Sequence, residues 1–132
     1  MSYMLLILEP TGQRATRTEA EGRELYERML RFGDELKAQG LLVASESLES
    51  QAGAARVAVR DGRPQVLDGP FAEAKEMVGG FFLIDCDSRD EAIAIAARCP
   101  AAEWCTVEVR ALAPCYVESA RRAGTVSRAG TA

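Results

Sequence analysis

Two strand-length segments are apolar at every position, and they limit the possible folds more than any other feature. Residues 3–8 read YMLLIL and residues 81–84 read FFLI. A strand buried on one face alternates apolar and polar residues, so these runs predict strands covered on both faces. A domain of 132 residues can cover one face with helices. A bare second face is unusual for a soluble monomer, so we expect a second copy packed sheet to sheet.

An amphipathic helix after the first strand can supply part of that cover. Thr18 and Glu21 form a capping box, and Gly40 is placed to end the helix, which predicts a helix over about 19–39. One apolar stripe follows the helical period and is formed by Leu25, Met29, Phe32 and Leu36.

The other segments complete a pattern of alternating strands and helices. They are predicted strands over 41–48, 55–60, 65–67, 80–85 and 105–110, and a second helix that begins at Ser88 and stops before Pro100. Asp61-Gly62 is a strong hairpin turn signal. Without the insertion at 53–78, the order predicts an α+β, ferredoxin-like βαββαβ fold with both helices on one face of an antiparallel sheet. We expect one domain over 1–112 and a flexible tail over 113–132.

Composition excludes several classes of function. The net charge is −4 with both signs interspersed, which argues against nucleic acid or anionic membrane as a partner. No apolar run approaches the roughly 20 residues of a membrane span, and the N-terminus lacks a basic signal-peptide region. The chain has no histidine, and its four cysteines have no metal-site spacing, so we expect no metal and no cofactor. These features predict a cytoplasmic protein with reduced thiols.

The segment Asp68-Gly69-Pro70-Phe71 carries the first candidate for chemistry. Asp68 could act as a general base if Phe71 desolvates its carboxylate beside a cleft. Alternatively, aspartate before Gly-Pro starts a turn, with Pro70 at the first position of a short helix.

Further candidate ligand-binding residues surround this segment or lie on the strands. Glu73 and Lys75 could line a pocket mouth or simply be solvated. Glu108 and Arg110 share one face of the last strand, where Arg110 could bind a carboxylate or phenolate, or both could form a salt bridge. Tyr3 is a weaker candidate. Gly79-Gly80 predicts a bulge or a close backbone approach.

Residues 1–112 closely resemble the DGPF subgroup of the YCII-related family. The resemblance rests on DGPFAEAKEMVGGFFLIDCDSRDEA, the YMLLI start, the hairpin and the VEVRAL end. It implies a dimeric α+β barrel with an inserted β-hairpin and a DGPF loop. Relatives of the YCII type are proposed to use a histidine–aspartate pair in a cleft, and one is similar to a chlorohydroquinone dehydrochlorinase. Asp68 matches the aspartate, but the absent histidine prevents a direct transfer of that chemistry.

Two functional hypotheses follow. The first is a homodimer that binds a small aromatic or acidic molecule in a cavity near the DGPF loop, with Asp68 as the base of a cofactor-free, lyase-like step and Arg110, Glu108, Phe71, Glu73, Lys75 and Tyr3 as contacts. The second is a non-catalytic regulatory or interaction module, because genes of the DGPF subgroup occur beside those of extracytoplasmic-function sigma factors.

Overall fold

A four-stranded antiparallel sheet with two helices forms the body of the computed structural model, which describes residues 1–116. From residue 117 onward, the tail expected over 113–132 lies outside the described residues. The strands are β1 (Ser2–Pro10), β2 (Leu42–Ser47), β3 (Ala55–Arg60), β4 (Arg63–Asp68), β5 (Glu76–Asp85) and β6 (Thr106–Ala111). The helices are α1 (Glu19–Ala38) and α2 (Arg89–Arg98), and short 3-10 turns cover Arg14–Thr16, Gln51–Gly53 and Pro100–Glu103.

The strand order confirms the α+β prediction. The main sheet runs β2-β5-β1-β6, with β1 antiparallel to both β5 and β6. The order is compatible with a ferredoxin-like fold. Strands β3 and β4 pair only with each other and form the predicted inserted hairpin. Its turn has Asp61 and Gly62 at φ of 52° and 73°, the positive values that this two-residue turn requires.

Helix α1 forms as its capping signals predict. Thr18 Oγ1 accepts from the Glu21 amide at 3.1 Å, and Glu21 Oε1 accepts from the Thr18 amide at 2.8 Å. The helix buries Phe32 and Leu36 against the sheet. Phe32 meets Phe82 of β5 edge to face, with ring centroids 5.1 Å apart. This contact packs the second half of α1 against the sheet. A cleft lies between the first half of the helix and the sheet.

The apolar strand β1 divides its side chains between two environments. Tyr3, Leu5 and Ile7 are buried in the core with residues of both helices, so α1 and α2 cover the same face. Met4 and Leu6 alternate with them and lie half-buried on the opposite face. The expected helical cover of one face is therefore confirmed, whereas the expected second copy on the other face stays a prediction.

The DGPF segment departs from the predicted short helix. Residues 69–75 form turns, and the Gly69-Pro70 peptide bond is cis. The strand prediction for 80–85 was also too short, because β5 begins at Glu76. The physical reason is a competing partner: the Thr11 amide donates to the Lys75 carbonyl at 2.9 Å, which extends the pairing of β1 and β5. A segment this short cannot nucleate a helix against that pairing.

Candidate functional site: a cleft beneath helix α1

A cavity of about 910 Å³ lies between α1 and the sheet. Strands β1, β2 and β5 form its floor, and α1 forms its roof. The roof carries Tyr26 and Leu30, each 50% exposed, and the rim on the β2 side carries Leu48. Apolar side chains that remain this exposed in a concave site are typical of ligand pockets.

An ion pair with a buried carboxylate forms the polar end of this cleft. Glu9 is only 6% exposed, at the end of β1, and Arg14 reaches it from the 3-10 turn that follows. Arg14 Nη2 donates to Glu9 Oε1 at 2.6 Å, and Arg14 Nε donates to Glu9 Oε2 at 3.0 Å. Such forked pairing fixes the plane of the guanidinium. Burial of the carboxylate without this cation would carry a large desolvation cost.

Gly79 makes room for the pair. It is the extra residue of a β-bulge, since Ile7 pairs with Gly80 and Leu8 with Val78. A Cβ at Gly79 would collide with Glu9 Oε1. The prediction of a bulge or close approach at Gly79-Gly80 is therefore confirmed.

A tryptophan and a thiol border the same end of the cleft. Gln13 Nε2 donates to the Trp104 carbonyl at 2.7 Å, and Cys105 Sγ lies 3.6 Å from Gln13 Oε1. Burial and the Glu9 carboxylate raise the pKa of the Cys105 thiol to about 11, against a smaller opposing effect of Arg17 and Arg14. The thiol is therefore protonated at neutral pH, which makes it a poor nucleophile.

Two further arginines lie against Trp104. The Arg28 guanidinium carbon is 5.3 Å from the ring centroid, and that of Arg17 is 6.0 Å away. Arg28 also pairs with Glu103 at 2.8 Å, whereas Arg17 has no ion-pair partner among residues 1–116. Arg17 and Arg14 both line the cleft. This end of the cleft thus holds, beside an aromatic ring, a cation that has no ion-pair partner in residues 1–116.

The DGPF loop contacts a segment beside the cleft but does not line the cleft. Thr11 Oγ1 donates to the Ala74 carbonyl at 2.9 Å, so the loop holds the segment that leads to Arg14. Asp68, Glu73 and Lys75 are exposed and line neither this cleft nor a smaller concavity of about 490 Å³ at the base of the hairpin.

The other predicted contacts are also dispersed. Phe71 is buried beneath Arg56, whose guanidinium carbon lies 3.8 Å from the ring centroid, and it borders the smaller concavity. Tyr3 lies in the helix-side core. Glu108 and Arg110 form an exposed ion pair at 3.8 Å on the sheet face without helices, with the Arg110 side chain 68% exposed. The structure brings none of these residues together with Asp68 in either concavity.

Sequence reasoning missed Glu9 and Arg14, although a signal was present. Glu9-Pro10 follows directly on the apolar run YMLLIL and marks its end. Yet Glu9 continues the odd-numbered series of Tyr3, Leu5 and Ile7, which the helices cover. Strand alternation places it on the buried face, and a buried carboxylate requires a cation nearby.

The cleft is suited to binding a polar organic molecule. Among residues 1–116, no cluster of three or more histidine, cysteine, aspartate or glutamate side chains could hold a metal ion. None of the helices in the described part of the chain is long and apolar enough to cross a membrane. The polar end of the cleft is lined by guanidinium, carboxylate and aromatic groups.

The fold and cleft define a small α+β domain with a ligand-sized pocket between its first helix and its sheet. Residues 1–115 match the YCII-related domain, and the chain belongs to that family. It is also similar to an uncharacterised protein of Rhizobium meliloti (strain 1021), with 60% identity over 35 residues. That match covers 26% of this chain and 28% of the relative, so it extends over little more than a quarter of either protein.

Proposed function

We propose that this protein binds a small organic molecule in the cleft beneath α1. The observation that carries the proposal is a cavity of about 910 Å³ that joins half-exposed apolar side chains to a forked ion pair whose carboxylate is buried. Pockets of a few hundred to about 1,000 Å³ with mostly apolar walls and a few fixed polar groups are the usual sites of small ligands.

The geometry favours binding over proton transfer. Glu9 is the carboxylate best placed in the cleft, but Arg14 engages both of its oxygens. A base needs an available lone pair directed at the substrate, and this pairing occupies the carboxylate. Asp68 is exposed outside the cleft, so the site that we propose does not use it. The lyase-like step that was expected of Asp68 stays a hypothesis.

A cleft-filling variant tests the proposal. Gly22 lies in α1 and lines the cleft, and a Cβ at this position would meet no atom within 4 Å, so Gly22→Leu is expected to place a side chain in the cleft. Ala20→Leu is the matched control, because Ala20 is exposed on the same helix and does not line the cleft. Both variants would be screened with aromatic acids, phenols and their neutral analogues by thermal shift.

The expected result is a rise in Tm for the wild type and Ala20→Leu that disappears in Gly22→Leu. Asp68→Asn should keep the rise, since Asp68 lies outside the cleft. A rise that survives Gly22→Leu but disappears in Asp68→Asn would contradict the proposal and favour a site at the DGPF loop.

We also propose that two copies of the chain associate through the sheet face without helices. Leu6 pairs with Phe81 on β5 and with Glu108 on β6, so apolar residues of the two central strands adjoin on that face. Burial of this face would complete the two-sided cover that the apolar strands require. Light scattering of the full chain should give twice the monomer mass at micromolar concentration, and a monomer would overturn the proposal.

Three further expectations stay predictions: membership of the DGPF subgroup, a cytoplasmic location and a regulatory role beside sigma factors. The ligand screen bears on the last of these. If the cleft binds none of the compounds, the result would favour the interaction module over the ligand-binding hypothesis.

A further inference from the structure

We infer that the ligand of the α1 cleft is a monocarboxylate with an apolar body, and that Arg14 and Arg17 receive its carboxylate. This inference rests on the proposed function, because it assigns a chemical class to the ligand of the same cleft. Glu9 is a positioning residue in this scheme, since it orients Arg14 without contacting the ligand.

The charges at the Trp104 end of the cleft set the charge of the ligand. Two guanidiniums, of Arg14 and Arg17, face one carboxylate, of Glu9, which leaves one net positive charge. All three groups line the cleft: Arg14 is bonded to Glu9, and the Arg17 guanidinium carbon lies 6.0 Å from the Trp104 ring centroid. A monoanion balances this charge, whereas a dianion such as phosphate would leave an excess negative charge in a partly desolvated site.

Other charges lie around these groups. Glu21 does not line the cleft, but it acts on Arg17 from the first turn of α1, where it accepts a hydrogen bond from the Thr18 amide. Glu19 and Arg23 pair at 2.6 Å at the start of α1. Asp34 and Lys37 have opposite signs and begin about four helical turns beyond Glu19. Glu46 also lines the cleft, on β2, which β5 separates from β1.

The hydrogen-bonding capacity of Arg14 favours a carboxylate. Its Nε and Nη2 groups are engaged by Glu9, and Nη2 also approaches the Gly79 carbonyl at 3.5 Å. Within residues 1–116, Nη1 has no hydrogen-bond partner, so its N–H groups remain available. An arginine whose plane is already fixed loses little conformational freedom when it accepts a second anion.

The walls of the cleft define the other part of the ligand. Leu25 and Met29 continue the roof beside the half-exposed Tyr26 and Leu30. These side chains extend along α1 from the arginine end. A ligand with a charged head at Arg14 and Arg17 would therefore lay an apolar body beneath the helix.

Intrinsic fluorescence can report this binding directly, because Trp104 is the single tryptophan of the chain and lies against Arg17. The full-length protein would be titrated with benzoate and octanoate, and with benzamide and octanamide as neutral analogues. We expect each acid to bind about tenfold or more tightly than its amide, the ratio typical of a hydrogen-bonded charge. Inorganic phosphate at the same ionic strength should bind more weakly than the acids.

Variants then test whether Arg17 and Arg14 bind the carboxylate of the ligand. Arg17→Gln should weaken the binding of the acids about tenfold and leave the binding of the amides unchanged. Arg31→Gln should change the affinity for neither. Arg31 is a matched control, since it is exposed on α1 and does not line the cleft. The double variant Glu9→Gln/Arg14→Gln replaces the ion pair by two amides and should also remove the preference for acids. Arg17→Gln keeps the test valid even if the double variant does not fold, because within residues 1–116 Arg17 forms no ion pair that the substitution would break.

The outcomes separate this inference from the proposed function. If amides bind as tightly as acids and Gly22→Leu abolishes both, the cleft is a ligand site but the monocarboxylate inference is overturned. Tighter binding of phosphate, or equal effects of Arg17→Gln and Arg31→Gln, would also overturn it. If neither acids nor amides bind, or if binding survives Gly22→Leu, both this inference and the proposed function fail.

Discussion

At the scale of single residues, the cleft depends on one buried carboxylate and the space around it. Glu9 is retained in the interior because Arg14 neutralises it and Gly79 leaves room for it. Loss of any one of these three residues removes a condition on which the others depend. A buried charge that loses its partner is strongly destabilising, so this group is also the most sensitive point of the fold.

Gly79→Ala should destabilise the protein by about 1–3 kcal/mol, the usual effect of forcing an extra group into a filled site. The new Cβ would displace the Glu9 carboxylate from its place beside Arg14. Gly22→Ala is the matched control, because its Cβ has open space within α1. That variant should be stabilised by about 0.5–1 kcal/mol through the better helix propensity of alanine. Urea unfolding of both proteins measures the difference, and equal stabilities would contradict the account of Gly79.

Cys105 should make stability fall at alkaline pH. Its pKa is raised to about 11 in the folded protein, from an ordinary value of 9.0. The unfolded thiol therefore ionises first, so this contribution is complete below pH 9 and is lost as the pH rises toward 11. Burial also raises the pKa values of Cys86 and Cys99, which adds an effect of the same sign.

Urea unfolding of the wild type and Cys105→Ala between pH 8 and about pH 11 tests this, since other groups that titrate in that range are common to both proteins. The variant should show a shallower decline. An identical decline would mean that Cys105 does not carry the effect.

At the scale of elements, local signals determine where helices begin and how the hairpin turns. The reciprocal hydrogen bonds of Thr18 and Glu21 start α1, and Ser88 Oγ accepts from the Glu91 amide at 3.1 Å at the start of α2. These bonds join residues three apart in the chain, so they need no tertiary contact. The start of β5 depends instead on Thr11, which is distant in sequence.

Thr18→Ala should lower stability by about 1 kcal/mol, as expected for loss of an N-cap hydroxyl. Ala20→Ser is a control within the same first turn, and it should cost less because Ala20 makes no cap. Chemical denaturation at neutral pH measures both. A cost for Thr18→Ala no larger than that of the control would show that the cap is not needed for α1.

The same cap should influence the stability of the protein at acid pH. Hydrogen bonds to Thr18 lower the pKa of Glu21 from its ordinary 4.5. That stabilisation is present above pH 4.5 and is lost as the pH falls through the lowered value. Glu21→Gln, which removes the titrating group, should therefore unfold with a weaker acid dependence than the wild type, as measured by urea unfolding across the acid range.

At the scale of the whole molecule, the distribution of apolar surface raises the question of assembly. One face of the sheet is covered by α1 and α2, and the other carries Met4 and Leu6 without a cover from the described part of this chain. Association through that face would also place the exposed Glu108 and Arg110 at the contact between copies.

Leu6→Lys should convert a dimer to a monomer, because it would bury a charge at the centre of the contact. Val59→Lys is the control, since Val59 is 60% exposed on the hairpin and away from the main sheet. Light scattering at matched concentrations distinguishes them. A dimer that tolerates Leu6→Lys would exclude this face as the interface.

Much of the fold could be predicted from the sequence, because its signals are local. Capping residues, strand alternation and the Asp61-Gly62 turn act over a few residues and located both helices and the hairpin. The candidate site could not be predicted in the same way. Asp68 belongs to a recognisable motif but lies exposed at the end of β4, whereas Glu9 is buried near the end of β1 and belongs to no motif.

The sequence by itself determined the order of elements, the family and the need to cover apolar strands on two sides. Only the tertiary structure decided which polar groups share a cavity. Glu9, Arg14 and Gly79 are separated by as many as 70 residues of chain and meet because a bulge in β5 opens space opposite the end of β1. Desolvation then makes their pairing obligatory, and desolvation is a property of the folded interior rather than of any local pattern.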